Sequence, residues 1–466
     1  MRRELLALGL SLAALPAVAQ PVVVSREGEG RTLSLTVYNQ GRALVRDARE
    51  VTLPAGELAL EFRDIASSVM PETVAISGEG VTVLEQNYEY DLLSPQTLLA
   101  KYVGRDVTLV VEEPGEAPGQ VVRRQETGRL LSVQNGTVWR IGAGIVMNPP
   151  YRELIFPQVP ENLRDRPTLV WLLKSAVEGK RRLEATYLAE QLSWKADYVL
   201  TLDEAGDEGQ VLGWITLDNQ SGASYPDARL QLVAGEVHLA PRSQPYAEGI
   251  AMSKAAGAQV SEESFAEYHL YTIPRPTTIK DKQQKQIAFL QADGVKVQRH
   301  YVVEGQPSYF RAPLGKLKQD VQVRLEFVNS AANHLGMPLP AGVVRFYQQD
   351  RRGESQFIGE DRIDHTPKDE RVTMTVGNAF DVVAERRQTD FRRFDSTTES
   401  AFEITLRNHK PVPIMVEVRE RVGGDWEMLS SSLPYEKTSA FGVEFKVPVP
   451  ADGGATLTYR VRVRAP

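Results

Sequence analysis

Apolar and polar side chains alternate most clearly between residues 183 and 217. Leu192, Trp194, Ala196, Tyr198, Leu200 and Leu202 share one parity, while Ser193, Lys195, Asp197, Val199 and Thr201 take the other. A period of two places the first set on one face of a strand and most of the polar groups on the opposite face. Residues 203–209 (Asp-Glu-Ala-Gly-Asp-Glu-Gly) then break the pattern with tight-turn chemistry. Residues 211–217 follow, apolar at both parities as in a strand buried on two sides. A third run, Ala228, Leu230, Leu232 and Ala234, completes an expected meander. Trp194 and Trp214 are its largest apolar groups, so the segment is expected to be core, with Trp194 and Tyr198 there rather than against a ligand.

The same period recurs along the chain. Leu33, Leu35 and Val37 alternate, Asn39-Gln40-Gly41 turns, residues 43–53 run back, and Pro54-Ala55-Gly56 leads into Leu58, Leu60 and Phe62. These short strands describe a small antiparallel β-domain over residues 20–91. Ser94 as a cap, Pro95 in the first turn and Gly104 as a stop predict a short helix. Residues 107–111 and 130–141 suggest a small barrel-like module over 92–164, with Asn135-Gly136 as its hairpin turn. The prolines at 149, 150, 157, 160 and 167 mark an extended linker. Residues 168–175 and 182–188 are expected to form a hairpin around Glu178-Gly179. Residues 240–263, rich in Ala, Ser, Gly, Gln and Glu, predict a mobile surface insertion.

Beyond it the chain returns to alternation: Val321 to Phe327, Val372 to Val376, Phe402 to Leu406 and Val412 to Val418. The last two runs are Phe441, Val443, Phe445 and Val447, then Ala455, Leu457, Tyr459, Val461 and Val463, joined around Asp452-Gly453-Gly454. The expected fold is all-β and multidomain, with antiparallel β-sandwich modules, the barrel-like module and few short helices. Arg460, Arg462 and Arg464 would form a cationic row on the outer face of the final strand, as a solvated face or edge protection.

Composition narrows the chemistry. With 466 residues the chain exceeds one core and should divide into several domains. Its net charge of −7, without a basic block, gives no electrostatic reason to bind nucleic acid or an anionic membrane. The absence of cysteine removes thiolate catalysis, disulfides, cysteine-based zinc sites and iron–sulfur clusters. Arg2-Arg3, an apolar run over residues 5–15 and Ala17-Val18-Ala19 predict a signal peptide over residues 1–19, hence export to the periplasm or cell surface. No later stretch is apolar enough for a transmembrane helix.

His238, His269, His300, His334, His365 and His409 show no metal-binding spacing, so no metal and no cofactor is expected. Asp203, Glu204, Asp207 and Glu208 lack the spacing of a calcium loop and are read as a solvated hairpin tip. Glu360, Asp361 and Asp364 are read as a second turn, after Gly359. There is no nucleophile elbow, P-loop or dinucleotide fingerprint, and no catalytic residue is assigned. Tyr88 and Tyr90 would share one side of an extended segment, as an interdomain cap or a sugar- or peptide-binding edge.

Several segments, taken together, resemble the bacterial family built on the uncharacterised DUF4139 domain. They are Tyr187-Leu188 with Ser193-Trp194-Lys195-Ala196-Asp197-Tyr198, Asn333-His334, the run from Pro338 to Tyr347, Phe357 to Asp361, Asn408-His409-Lys410, and Leu457 to Arg460. The resemblance spans roughly residues 165–465, and Val37-Tyr38 with Ala43-Leu44-Val45 looks like the DUF4140-type partner domain found ahead of it. Some members carry a coiled coil where this chain has its small module. The family has no established activity, so the resemblance implies fold alone. The functional expectation is an exported, non-enzymatic cell-envelope protein that binds or scaffolds, with an envelope protein or surface polysaccharide as partner. The alternatives are a secreted glycan hydrolase using carboxylates that sequence cannot pair, and an adhesion module engaging its partner through residues 240–263.

Overall fold

The computed structural model describes residues 20–26, 28, 30–89, 91–114, 121–160, 163–235, 261–265 and 268–464. The expected signal peptide and residues 240–260 of the expected insertion lie outside them, while 261–263 belong to a strand, Ser261–Phe265. The described chain is all-β, in six sheets, with one short α-helix.

Two sheets enclose the first core. One orders Val22–Ser25, Gly56–Arg63, Thr168–Ser175 and Val81–Glu89; the other includes Tyr225–Ala234, Thr32–Tyr38, Arg42–Leu53, Gly179–Glu190 and Ala75–Gly78. Leu58, Leu60, Phe62 and Trp171 share this core with Leu35, Val45, Leu183 and Tyr187. Phe62 and Trp171 meet edge to face at 5.7 Å.

The strand partners differ from the local expectation in two places. Thr168–Ser175 and Gly179–Glu190 do not pair with each other. Thr168–Ser175 is apolar at both parities and fills the gap between Gly56–Arg63 and Val81–Glu89, while Gly179–Glu190 pairs with Arg42–Leu53. The chain therefore changes sheets at 176–178. The meander also stops after two strands. Leu192–Leu202 and Glu208–Asn219 form the expected hairpin, but the free edge of the second is taken by Gln283–Lys296. Tyr225–Ala234 runs instead parallel to Thr32–Tyr38. Strands from beyond residue 164 thus complete the sheets begun by residues 20–91.

The central sheet orders Gln283–Lys296, Glu208–Asn219, Leu192–Leu202, Gly342–Gln349 and Ser355–Ile363. Its inner face carries Leu192, Trp194, Ala196, Tyr198, Leu200 and Leu202 into the same continuous core. Trp194 is 4% exposed, and its indole N–H donates to the Val233 carbonyl at 3.2 Å. Opposite Tyr198 stands Gly213, where an added Cβ would lie 2.6 Å from the Phe289 ring. A bulge in Gln283–Lys296 delivers that ring into the gap, against Tyr198 at 5.8 Å.

A six-stranded sheet and a five-stranded one form the C-terminal sandwich around Phe402, Ile404, Phe445, Val447, Leu457 and Tyr459. The two final strands, Gly442–Val449 and Gly453–Arg464, lie in opposite sheets, and Phe445 stacks on Tyr459 across the core at 5.2 Å. Phe441 and Val412 precede their strands and are exposed. Gly453–Arg464 is an interior strand, so its arginine row protects no edge.

The small module at 92–164 is an open sheet, not a closed barrel. Its order is Gly144–Met147, Val138–Ile141, Val121–Ser132, Asp106–Pro114 and Glu153–Ile155, and the short outer strands sit on opposite flanks. Its own core holds Tyr102, Val107, Leu109, Leu130 and Trp139. Helix Pro95–Lys101 is closed by a reciprocal Ser94–Thr97 capping box, and Gly104 follows at φ +83°. Asn135 and Gly136 take the positive φ values (55° and 123°) of their hairpin turn.

Buried asparagines hold the loops between sheets. Asn329 donates to the carbonyls of Met337 (2.8 Å) and Pro367 (2.9 Å) and accepts from Gly336 N–H at 3.1 Å. Asn219, Asn333 and Asn408 do the same for their own turns. Trp194→Ala is expected to cost about 3–5 kcal/mol through the cavity it leaves, read by chemical unfolding. Asn329→Ala should cost about 1–3 kcal/mol, because its backbone partners stay buried without their hydrogen bonds.

Candidate functional site

The strands that bury Trp194 and Tyr198 turn their other parity outward. On that outer face, cross-strand register sets Lys195 opposite Thr216, Asp197 opposite Trp214, and Thr201 beside Tyr347. Arg345 pairs with Glu360, and Tyr347 with Phe357, on the adjoining strands. Trp214 is therefore not a core residue. It shares its face with Asp197 and is partly exposed. Tyr347 is partly exposed as well, Phe357 is 56% exposed, and the two rings meet edge to face at 5.6 Å.

Between these aromatics lies a polar network. Asp197, buried beneath its neighbours, accepts from Thr216 Oγ1 at 2.9 Å and from Arg345 at 3.3 Å. Lys195 Nζ stands 3.7 Å from the same carboxylate, and Gln286 donates to Thr216 Oγ1 at 3.3 Å. Arg345 also faces Glu360 at 3.4 Å. From Trp214 to Tyr347 the face crosses two strand spacings and four residues, roughly 16 Å. The surface mixes ring faces with fixed donors and acceptors.

The residues singled out in the sequence are dispersed. His300 meets Glu417 at 2.7 Å, His365 accepts from Ala341 N–H at 3.2 Å, and His334 caps a short 3-10 turn at φ +58°. His269 lies on Tyr268–Thr272 and His409 is exposed, while His238 lies outside the described residues. Among the described residues no three His, Cys, Asp or Glu side chains converge as metal ligands. At the 203–208 tip, Asp203 accepts from Gly206 N–H at 2.6 Å and Glu208 pairs with Lys296. Glu360 and Asp361 stand in strand Ser355–Ile363 rather than in a turn, with a bulge at Gly359; Asp361 accepts from Thr375 N–H at 2.6 Å. Tyr88 is partly buried against the first core, and Tyr90 lies outside the described residues.

Two of the three arginines of the row are paired. Arg460 binds Asp390 at 2.8 Å, and Arg462 binds Glu399 at 2.8 Å. The hydrogen bond from Arg460 holds the Asp390 carboxyl below its ordinary value. A stronger charged group lies inside the C-terminal sandwich. Arg386, fully buried, donates to Glu420 (2.5 Å), Tyr459 Oη (2.9 Å) and Gln319 (2.7 Å), with its guanidinium 5.0 Å from the Tyr309 ring centre. Burial works against its charge, but the Glu420 carboxylate more than compensates and raises its pKa. Burial also pushes the Tyr459 hydroxyl well above its usual value, and Glu420 adds to the effect. This triad is buried and serves the fold.

No family model matches the chain, and no curated protein matches it. Arg386→Met is expected to destabilise by about 3–5 kcal/mol by stranding the Glu420 charge, and adding Glu420→Leu should recover much of the loss; denaturant midpoints of the three chains decide it. Arg460→Gln should raise the Asp390 carboxyl toward the ordinary carboxylate range in an NMR titration, with Arg392 at 3.1 Å still holding it down, and an unmoved titration would show that Arg460 is not what lowers it.

Proposed function

We propose that this chain is an exported, non-enzymatic protein of the cell envelope that binds a surface polysaccharide on the outer face of its central sheet. The observation that carries the reading is the placement of Trp214, Tyr347 and Phe357 around the Asp197–Arg345–Glu360 network on one solvent-facing surface. Aromatic rings would stack on the C–H faces of sugar rings, and the ion-paired side chains would hydrogen-bond the hydroxyl groups. Rigid strands set the spacing in advance, which lowers the ordering cost of binding. The amino-terminal pattern at residues 1–19 supports the periplasm or cell surface as the place of action.

Hydrolysis is the weaker reading. A glycosidase pair needs one carboxyl protonated and one free to act as base or nucleophile. Here Asp197 and Glu360 both engage Arg345.

The test is retention of the purified chain on insoluble peptidoglycan and on gels containing soluble neutral or acidic glycans. At least one glycan should retard it, and Trp214→Ala or Phe357→Ala should weaken that binding roughly tenfold, equivalent to ~1.4 kcal/mol for a lost stacking contact. The melting temperature of either variant should change little. Retention equal to the parent chain in both variants would remove the outer face from consideration.

A further inference from the structure

We infer that a second site, at one end of the C-terminal sandwich, takes the carboxylate of an acidic sugar. An open recess of about 620 Å³ is lined there by Glu304, Arg311, Arg324, Arg419, Glu420, Arg421 and the exposed ring of Phe441. Each of its two acids has an arginine partner: Arg386 reaches Glu420 Oε1 from behind, leaving Glu420 Oε2 without a hydrogen bond, and Glu304 holds Arg324 at 2.9 Å. Arg419 divides itself between Glu417 (2.6 Å) and Glu444 (2.9 Å). Arg311 and Arg421 have no carboxylate partner among the described residues. The buried Nε of Arg324 likewise lacks an acceptor. A neighbouring recess of about 390 Å³ shares Arg311 and Gly423 with the first and adds Arg393, opposed by Asp395.

The chain carries a net charge of −7, so this local cationic surplus runs against the charge of the whole. Free guanidinium groups in a concave, open site favour an oxyanion held by paired N–H donors. Phe441, 56% exposed at the rim, adds a ring face beside that charge. One ligand offering a carboxylate next to a C–H face is a uronate-type sugar within a glycan chain. A nucleic acid, with a phosphate at every step, would meet the acidic remainder of the molecule. The inference deepens the polysaccharide reading and rests on it only for the choice of a sugar as carrier of the anion.

The experiment is calorimetric titration of the full chain with oligogalacturonate, with a neutral gluco-oligosaccharide and with inorganic polyphosphate as separate probes. Oligogalacturonate is expected to bind, with affinity falling as salt is raised. Arg311→Ala and Arg421→Ala should each weaken it roughly tenfold, as expected for a charge-assisted hydrogen-bond pair; Arg421→Lys should restore part of the loss. Both side chains are exposed, so the fold should survive. Trp214→Ala should leave the arginine-dependent, salt-sensitive component in place. Oligogalacturonate binding unaffected by either arginine variant, or polyphosphate binding as tightly with the same arginine dependence, overturns the acidic-sugar assignment. Loss of neutral-glycan binding in Trp214→Ala together with intact oligogalacturonate binding supports both sites. Arginine-dependent binding of oligogalacturonate with no neutral-glycan binding supports this site and counts against the outer face of the central sheet.

Discussion

One-sided burial of the central sheet is the constraint from which the rest of the architecture follows. Leu192, Trp194, Ala196, Tyr198, Leu200 and Leu202 leave water together, and the sheets on either side of them in sequence close over that face. Since a strand alternates, committing one parity to the core commits the other to solvent or to polar partners. Asp197 and Lys195 face outward because Trp194 and Tyr198 face inward. The core does not end at the central sheet: Leu325, Phe327, Val372 and Met374, from one end of the six-stranded sheet, join it. The remaining strands of that sheet, with Tyr301, Val303, Val416 and Val418 at its middle, build the C-terminal core. A single sheet therefore couples the two halves.

Several charged and amide groups inside this apolar frame are held by specific partners. Asp47 is held by both Arg31 and Arg49, whose guanidinium lies 3.7 Å from the Phe62 ring centre. Arg386 has Glu420, Tyr459 and Gln319 around it. The asparagines at 219, 329, 333 and 408 satisfy loop carbonyls that would otherwise be buried without donors. Such groups add little net stability over an apolar core, but they penalise any arrangement that separates the partners. They favour a single packing among sheets that look alike in hydrophobic pattern.

Where alternation is clean, as at residues 33–37, 192–202 and 455–463, sequence reveals both the strand and its buried face, because period-two alternation reports orientation directly. It also revealed the capping box at Ser94 and the turn at Asn135-Gly136, where local chemistry alone decides. It did not reveal partners. Residues 168–175 and 179–190 read as neighbours in a hairpin, yet each fits a different pair of distant strands better. Size alone points Trp214 to the core, although its register opposite Asp197 places it outside. Counting pairs outward from the turn at 203–207 would have shown this. Tyr347, Phe357 and Arg345 carried no local signal, since only the parallel pairing of Gly342–Gln349 with Leu192–Leu202 brings them to the same surface as Trp214.

The module built around Trp139 enters and leaves its host at one point. Asp91 and Leu93 exchange backbone hydrogen bonds with Arg164, so the seventy or so residues between them begin and end as hydrogen-bonded neighbours. The host sandwich already has Val81–Glu89 and Thr168–Ser175 side by side, and asks nothing of the intervening chain except that its two ends stay together. Lengthening or replacing such an excursion changes the closure entropy only with the logarithm of its length. The joint is thus a socket: an open sheet fills it here, and a rod of paired helices would fit the same two contacts without disturbing the walls behind it.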